Sequence, residues 1–415
     1  MTAMQPKVNA EFQSKDLYSP EVIANPYPYY DLLRDKPIQY GLEDFPPGTV
    51  PGQDAPIPAW VVLKHEDVVH VCRNHETFSS RDRMQEESAA PTLMLVNHDE
   101  PRHGELRKLA QKAFTPKRVE SDVSPWLART VDAMLEAEGD GAVDFMKNLA
   151  PDLPARFMTR LLGTPESDYK RLRRWANAFM VTADFTIEER NQCNVELFQY
   201  YTDAVNERYA DIARGRPATD DLMTAFIQAE SDGHALTRDE VVLFCITLVV
   251  AGAETTGYLL GNLVATLVEE PHLFPLLKED RSLVRPFIEE SIRRDGPIQR
   301  LHRECTRDTE IAGTKIRAGE WVAIFFASAN RDPAVWDRPN EFILKRPNIG
   351  RQLTFSHGIH HCMGAGIARN EAEKMVNGIL DRYANVLPGD GPMVRQRGGL
   401  LNYGLDKCPV TFVRN

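Results

Sequence analysis

The feature that most constrains this chain is one apolar stretch that predicts a helix of about 30 residues. Thr237 and Glu240 have the spacing of a capping box at its start. The apolar run 241–253 follows, and the helical pattern extends to about Glu269. The run is too short to span a bilayer, and Glu254 follows it directly. The sequence therefore predicts a long helix buried in the core of the protein.

The rest of the chain predicts a mainly α fold with a minor β-sheet region. Apolar residues recur at helical spacing in residues 101–114, 126–138, 149–162 and 188–213. Strand-like patterns occupy residues 59–65, 310–316, 321–326 and 409–413, and a Pro- and Gly-rich loop is expected at 40–58. No internal repeat or low-complexity linker divides the sequence, which favours one continuous domain.

Charge and cysteine distribution narrow the functional class. The formal net charge is −11, which argues against nucleic-acid binding and against adhesion to an anionic membrane. Residues 1–16 contain no apolar core of the kind found in signal peptides. The six cysteines are dispersed with no Cys-x-x-Cys pair, as in a reduced cytoplasmic protein. We therefore expect a cytoplasmic monomer whose partners are small molecules rather than nucleic acids or membranes.

One short loop concentrates potential metal ligands. Residues 354–364 read TFSHGIHHCMG and contain His357, His360, His361 and Cys362. A closed structural zinc site normally pairs two such clusters, but no histidine follows Cys362 and only one cysteine lies downstream. Taken alone, these residues leave open a buried cysteine in a glycine-rich turn.

The spacing of Phe355, Gly358, His360, Cys362 and Gly364 resembles the haem-binding loop of the cytochrome P450 family. The resemblance implies haem b with Cys362 as its thiolate ligand, held between the long helix and this loop. Such a ligand needs a tight turn that aims backbone N–H groups at the sulfur. The helical pattern of residues 367–380 places the loop at a helix N-terminus, which favours an anionic sulfur. Ser356 stands where the family usually has glycine.

Further motifs appear in the family's order. The resemblance implies that His103, Arg107, Arg303 and His360 bind the haem propionates, for which arginine forks are well suited. Glu290 and Arg293 match the family's Glu-x-x-Arg, and Arg331 with residues 336–342 resembles the segment whose arginine completes its ion-pair network. We expect Glu290, Arg293 and Arg331 to be structural. The resemblance covers nearly the whole chain, with residues 1–24 as an N-terminal extension and residues 25–415 as the haem-thiolate domain.

Two adjacent polar residues interrupt the long apolar helix. Glu254 and Thr255 follow Ala251 and Gly252 and resemble the family's acid–alcohol pair. A mid-helix threonine can bond the carbonyl four residues back and distort the helix, which makes room for water. Oxygen activation requires two protons, so Glu254 is expected to relay protons and Thr255 to hold the water that delivers them.

The implied function is a monooxygenase that uses dioxygen to hydroxylate a small or medium hydrophobic substrate. The chain has no Gly-x-Gly-x-x-Gly fingerprint and no room for a flavin reductase domain, so electrons are expected from a [2Fe–2S] or other ferredoxin with its NAD(P)H reductase. The surface of this chain that docks the ferredoxin is expected to use a set of basic residues, which could equally be ordinary solvated charges: Arg107, Lys108, Lys112, Lys117, Arg118 and Arg369.

By family position, the substrate pocket is expected to use Leu95, Val96, Phe244, Thr247, Leu248, Ala251, Ile298, Gln299, Leu401 and Asn402. Most of these side chains are apolar, which favours an apolar substrate, and the two amides suggest one polar contact. Two alternatives remain at this point: a peroxide-using or rearranging enzyme on the same fold, and a non-catalytic haem protein that binds a ligand. Glu254 and Thr255 argue against both.

Overall fold

Helices form most of the structure, a computed structural model that describes residues 12, 16–17, 19–43, 57–82, 93–111, 119–179, 185–231, 234–396 and 401–415. Residues 44–56 of the predicted loop and residues 112–114 of a predicted helix lie outside this set. The helices are α1 Pro20–Ala24, α2 Tyr27–Arg34, α3 His65–Arg73, α4 Arg102–Gln111, α5 Ser124–Glu138, α6 Phe145–Asn148, α7 Asp152–Leu162, α8 Tyr169–Phe179, α9 Ile187–Ala213, α10 Leu222–Gln228, α11 Arg238–Glu269, α12 Leu273–Glu279, α13 Val284–Arg294, α14 Phe326–Ala329 and α15 Ala365–Arg382.

The strands form small sheets at the edges of this helical body. The strands are β1 Gln39–Glu43, β2 Ile57–Val62, β3 Phe78–Ser79, β4 Gly141–Asp144, β5 Glu230–Ser231, β6 His234–Ala235, β7 Arg300–Cys305, β8 Thr309–Ile311, β9 Thr314–Ile316, β10 Trp321–Phe325, β11 Tyr383–Pro388, β12 Val394–Arg395, β13 Leu405–Lys407 and β14 Pro409–Arg414. In the largest sheet the order is β1-β2-β10-β7-β3, with β10 parallel to β2 and antiparallel to β7.

The predicted strand at 310–316 is in fact a hairpin. β8 and β9 pair antiparallel across Ala312 and Gly313. Both turn residues have positive φ, 48° and 81°. This is the backbone of a type I′ turn, which connects two strands with only two residues. The sequence pattern was correct in strand character but did not resolve the turn.

The long helix α11 confirms the prediction at both ends. Thr237 accepts a hydrogen bond from the Glu240 amide, and the Glu240 side chain accepts one from the Thr237 amide, so the capping box is complete. Among the described residues α11 alone is long and apolar enough to cross a membrane, but its most apolar 18-residue window is 72% buried by the rest of the protein. α11 is therefore a core helix, and it packs against α7, α8, α9 and α15.

A second core lies between the large sheet and the N-terminal segment. Phe12 and Leu17 are fully buried and pack with Tyr30 and Phe325. The rings of Phe12 and Phe325 meet edge to face with centroids 6.1 Å apart. The described residues of the expected N-terminal extension thus belong to the folded body.

A buried ion-pair network fixes α13. Arg293 makes a bidentate contact with Glu290, with Nη2 2.8 Å from Oε1 and Nε 2.9 Å from Oε2. The second arginine on Glu290 is Arg346, whose Nη2 lies 3.0 Å from Oε1. All three side chains are at most 3% exposed, so each charge requires the others.

Arg331 does not complete this network, which corrects the expectation. It lies just beyond the Glu290–Arg293 pair, at the C-terminal end of α13, where it donates to the carbonyl of Arg294 and pairs with Asp295 at 2.9 Å. The reason is geometric. Arg331 follows α14 directly and meets the C-terminal end of α13, whereas the chain reaches Glu290 only after a further loop that brings in Arg346.

Asn330 connects α13 to the segment that precedes the cysteine loop. Its amide nitrogen donates to Thr354 Oγ1 at 2.9 Å, and its amide oxygen accepts from the Leu353 N–H at 2.7 Å. Thr354 in turn donates to the carbonyl of Ile292 at 2.7 Å. Asn330, Leu353 and Thr354 are almost fully buried, so these bonds are shielded from water.

Candidate active site

The cysteine loop is built to present a sulfur atom. The Cys362 N–H donates to the carbonyl of Phe355 at 2.8 Å, which closes the turn. The backbone N–H groups of Gly364 and Ala365 hydrogen-bond to the Cys362 sulfur, and α15 begins at Ala365. The protein atoms packed around the sulfur raise the pKa of the Cys362 thiol by desolvation, while these amides and the charge of Arg107 oppose the rise. Of the six cysteines, Cys362 alone is exposed.

Two positions of the loop require a left-handed backbone. Gly358 has φ 73°, and a Cβ there would overlap the carbonyl oxygen of Cys72 on α3. Ser356 has φ 62°, a region that side chains other than glycine rarely adopt. Ser356 is buried, and its hydroxyl has no oxygen or nitrogen partner in the described part of the chain. It lies beside the Cys72 thiol. The departure from the family's glycine therefore falls where the backbone favours glycine.

Two arginines near this loop have no carboxylate partner in the part of the chain that the structure describes. Arg303, on β7, is only 8% exposed, and its Nη1 donates to the carbonyl of His302 at 2.6 Å. Burial lowers the pKa of its guanidinium. Arg107, on α4, donates to the carbonyl of His361 at 2.8 Å. Within the described residues neither arginine has a carboxylate at salt-bridge distance. Arg303 is buried and Arg107 is half-buried. Cations withdrawn from water without a partner favour a counter-anion, so the donor set fits a ligand with carboxylates, such as haem with its propionates.

A histidine network adjoins these arginines. The rings of His103 and His360 are 4.5 Å apart between centroids, and Ser80 Oγ lies 2.9 Å from His360 Nε2. Burial lowers the pKa of His360 to about 4. Burial alone would raise the pKa of Asp99, but the nearby His360 and the hydrogen bonds from the Ser79 hydroxyl and the Ser80 N–H lower it to about 2.

The sequence interpretation missed Asp99, although its position four residues before His103 was a usable signal. The other two histidines of the cysteine loop have separate surroundings. His357 accepts from Arg73 Nε at 2.9 Å, and His361 is exposed with its carbonyl bound to Arg107. The backbone of His361 thus anchors Arg107 beside the cysteine.

One face of α11 is accessible to solvent, although most residues of this helix are buried. Leu248, Ala251 and Thr255 are spaced at i, i+3 and i+7, so they share a face. Ala251 is exposed, while Leu248 and Thr255 are partly so. Thr255 Oγ1 donates to the carbonyl of Ala251 at 2.7 Å, which is the expected bond four residues back. A small residue beside a hydroxyl allows a ligand to approach the helix closely at this point.

Glu254 points away from that face and is 5% exposed. Tyr258 Oη donates to Glu254 Oε1 at 3.2 Å, and Asn402 Nδ2 donates to Oε2 at 3.3 Å. Burial lowers the pKa of Arg190 on α9, while the charge of Glu254 raises it, so a cation also lies within electrostatic range. The sequence interpretation missed Tyr258, although its i, i+4 spacing from Glu254 predicts such a contact.

The predicted pocket residues divide into two groups. Those with accessible surface are Leu95, Val96, Leu248, Ala251, Ile298 and Leu401. The structure corrects the other four, which are at most 4% exposed and are engaged elsewhere: Phe244, Thr247, Gln299 and Asn402.

The contacts of these four explain their orientation. Phe244 packs on Phe226 with ring centroids 4.7 Å apart. Thr247 accepts from the Met94 N–H at 2.9 Å. Gln299 accepts from Tyr30 Oη at 3.2 Å and donates to the Gly296 carbonyl at 3.0 Å. The two amides therefore offer no polar contact to a substrate. Gln299 supports the fold, and Asn402 contacts Glu254.

Comparison with known proteins gives consistent results. Residues 172–403 match the family model described as "Cytochrome P450". The chain is 32% identical over 379 residues to "Cytochrome P450 109" of Bacillus spizizenii, with coverage of 89% of this chain and 87% of that protein. It is 34% identical over 334 residues to the erythromycin C-12 hydroxylase of Saccharopolyspora erythraea, covering 79% and 82%.

A solved structure has the same fold. CYP109E1 of Bacillus megaterium in complex with corticosterone superposes with a TM-score of 0.80 at 30% identity, covering 95% of this chain and 100% of that one.

Proposed function

This chain belongs to the cytochrome P450 family of haem-thiolate monooxygenases, and we propose that it inserts one oxygen atom of dioxygen into a small or medium hydrophobic substrate. The observation that carries the proposal is the accessible α11 face that ends at Thr255. It combines apolar surface at Leu248 and Ala251 with one hydroxyl and an adjacent buried carboxylate, Glu254.

We assign the cofactor contacts as follows. Cys362 supplies the thiolate, which makes a bound haem able to cleave the O–O bond. The N–H groups of Gly364 and Ala365 hold the sulfur, and Phe355 closes the turn. Arg107, Arg303, His103 and His360 hold the propionates. The reduced protein under carbon monoxide should show the red-shifted Soret band of thiolate ligation, and a spectrum typical of histidine ligation would contradict the assignment.

The pocket residues with accessible surface are apolar, which supports a hydrophobic substrate. Corticosterone, which is bound in the structure of one relative, is an example of a hydrophobic ligand. We propose the same broad class of substrate here, without a particular scaffold. Electrons come from a separate ferredoxin with its reductase, the protein works as a cytoplasmic monomer, and water is the second product.

The proposed docking face is on the cysteine side of the molecule. Lys108 is exposed there. Arg369 is already engaged, because it pairs with Glu289 and lies over the Phe355 ring with its guanidinium carbon 4.4 Å from the centroid. Lys112, Lys117 and Arg118 lie outside the described residues. Of the described members, Lys108 is therefore the first candidate for contact with an acidic ferredoxin.

The experiment compares Thr255→Ala with Glu254→Gln in a ferredoxin-driven assay. Thr255→Ala should still bind substrate and consume reductant, but release oxygen as hydrogen peroxide. Glu254→Gln should slow turnover by about 10²-fold, the lower scale of general acid catalysis. Thr266→Ala is the matched control, because Thr266 makes the same bond to a carbonyl four residues back in the same helix, at 2.9 Å.

The measured quantities are the turnover rate and the ratio of product to reductant. Unchanged coupling in Thr255→Ala together with an unchanged rate in Glu254→Gln would refute the relay and favour the peroxide-using alternative. Equal losses in Thr266→Ala would assign the effect to helix stability.

A further inference from the structure

Glu254 borders a small cavity on the side of α11 opposite the accessible face. The cavity has a volume of about 70 Å³ and lies between α8, α11 and β13. Glu254 and Tyr258 of α11 line it, together with Asn177 of α8 and Asp406 of β13. A water molecule occupies about 30 Å³ in the liquid, so the cavity has room for roughly two waters.

The side chains that line the cavity become less exposed from the protein surface towards the interior. Asp406 is exposed and Asn177 is half-buried, whereas Tyr258 and Glu254 are buried. Arg173 of α8 also lines the cavity. Its side chain is fixed, because it pairs with Asp152 at 2.9 Å and donates to the carbonyl of Lys147 at 2.8 Å. Polar groups therefore continue from bulk solvent to the carboxylate.

The orientation of Glu254 is set by two neutral donors. Tyr258 holds one carboxylate oxygen and Asn402 the other, at 3.2 and 3.3 Å. Asn402 is itself fixed by its bridge to Ile298 and by the bond from Gln396 to its carbonyl. These neutral donors stabilise the carboxylate, and the positive charge of Arg190 acts on it as well.

We propose that this cavity is the proton inlet of the enzyme, and that Tyr258 and Asn402 are positioning residues for Glu254. The proposal rests on the relay role of Glu254 proposed above. Each turnover combines substrate, dioxygen, two electrons from the ferredoxin and two protons, and yields hydroxylated product and water. The two protons enter by the Asp406 side, pass over water in the cavity and protonate Glu254. Rotation of the protonated Glu254 side chain then lets each proton leave towards Thr255, which returns Glu254 to its carboxylate form.

The test uses two variants of the inlet that leave Glu254 in place. Asn177→Leu keeps the number of side-chain heavy atoms and the branching at Cγ but lines the cavity with a bulkier apolar group. Tyr258→Phe removes one donor and keeps the ring. Both should slow dioxygen-dependent turnover on the order of tenfold and increase its solvent deuterium isotope effect, because proton delivery becomes limiting. Asn177→Asp restores a polar lining and should recover the rate.

Hydrogen peroxide provides a second readout, since it carries the oxygen atom, two electrons and two protons together. Turnover driven by peroxide should be unchanged in Asn177→Leu and Tyr258→Phe, as should reduction by the ferredoxin. Equal losses with peroxide and dioxygen would show a structural defect and overturn the proposal. Wild-type dioxygen rates in both variants would overturn it as well.

The two proposals can fail separately. A slow Glu254→Gln with wild-type Asn177→Leu and Tyr258→Phe would retain the relay and reject this inlet. A wild-type Glu254→Gln would reject the relay itself.

Discussion

Ser356→Gly should stabilise the protein, although it removes a side chain from the core. Ser356 has φ 62°, and the left-handed region costs a residue with a Cβ roughly 1–2 kcal/mol. Glycine loses about 0.5–1 kcal/mol more in conformational freedom on folding. The buried hydroxyl without an oxygen or nitrogen partner among the described residues adds a desolvation penalty of about 1 kcal/mol or more. The net expected gain is about 1–2 kcal/mol.

The assay is unfolding of the haem-loaded protein by guanidinium, followed by tryptophan fluorescence and by the Soret band. Unfolding entropy is about 2.1 cal/mol/K per residue, so over 415 residues the same gain raises the melting temperature by only about 1–2 °C. Chemical denaturation is therefore the more sensitive measurement.

Two further variants separate the causes. Ser356→Ala removes the hydroxyl and keeps the Cβ, so it should give only part of the gain. Gly358→Ala places a Cβ against the Cys72 carbonyl at φ 73° and should destabilise by about 2–5 kcal/mol, from backbone strain and overpacking together. The reasoning is wrong if Ser356→Gly destabilises the protein. If Ser356→Ala stabilises as much as Ser356→Gly, backbone strain makes no contribution.

Three shorter predictions concern other charged groups. In a double-mutant cycle of unfolding, Arg346→Met and Glu290→Gln should show a coupling free energy of about 0.5–3 kcal/mol. The effects of Arg331→Met and Glu290→Gln should instead be additive to within about 0.5 kcal/mol. The reverse result would reject the ion-pair assignment. The pKa of Asp99 is depressed to about 2, so its stabilisation exists above its unfolded pKa and is lost as pH falls from about 4 to 2. Asp99→Asn should therefore cost about 2 kcal/mol at pH 7 and nothing near pH 2 in acid titrations of unfolding, whereas a gap independent of pH would contradict this. Arg107→Ala should weaken haem retention by about 1.5–3 kcal/mol, measured as transfer to a haem scavenger; wild-type retention would remove Arg107 from the propionate site.

Local sequence patterns correctly predicted the positions and ends of helices, which depend mainly on interactions between nearby residues. The capping box of Thr237 and Glu240 and the buried apolar run defined α11 to within a residue. The helix after the cysteine, expected over residues 367–380, occurs as Ala365–Arg382. These features depend on contacts between residues that are close in sequence, so the spacing of side chains along the chain is enough to predict them.

Long-range side-chain direction could not be predicted in the same way. The choice between Arg331 and Arg346 for Glu290 depends on the path of a loop that is more than 40 residues away in sequence. The orientation of Gln299 and Asn402 depends on the pairing of residues 297–299 with 401–403, about 100 residues apart. Alternate residues of an extended segment face opposite sides, so the register of this pairing decides which side chains reach the pocket.

Asn330 joins the cysteine loop to α13 by bonds to Leu353 and Thr354, and Thr354 bonds Ile292. Breaking these buried bonds exposes polar groups on three segments at once, so the loop and α13 should open as one cooperative unit. The Leu353 amide proton, 2.7 Å from Asn330 Oδ1, should then exchange with solvent only as fast as this whole unit opens. Cofactor loss would follow the same barrier, and the lifetime of the loaded enzyme would be set by the opening rate of this unit rather than by local motion of one loop.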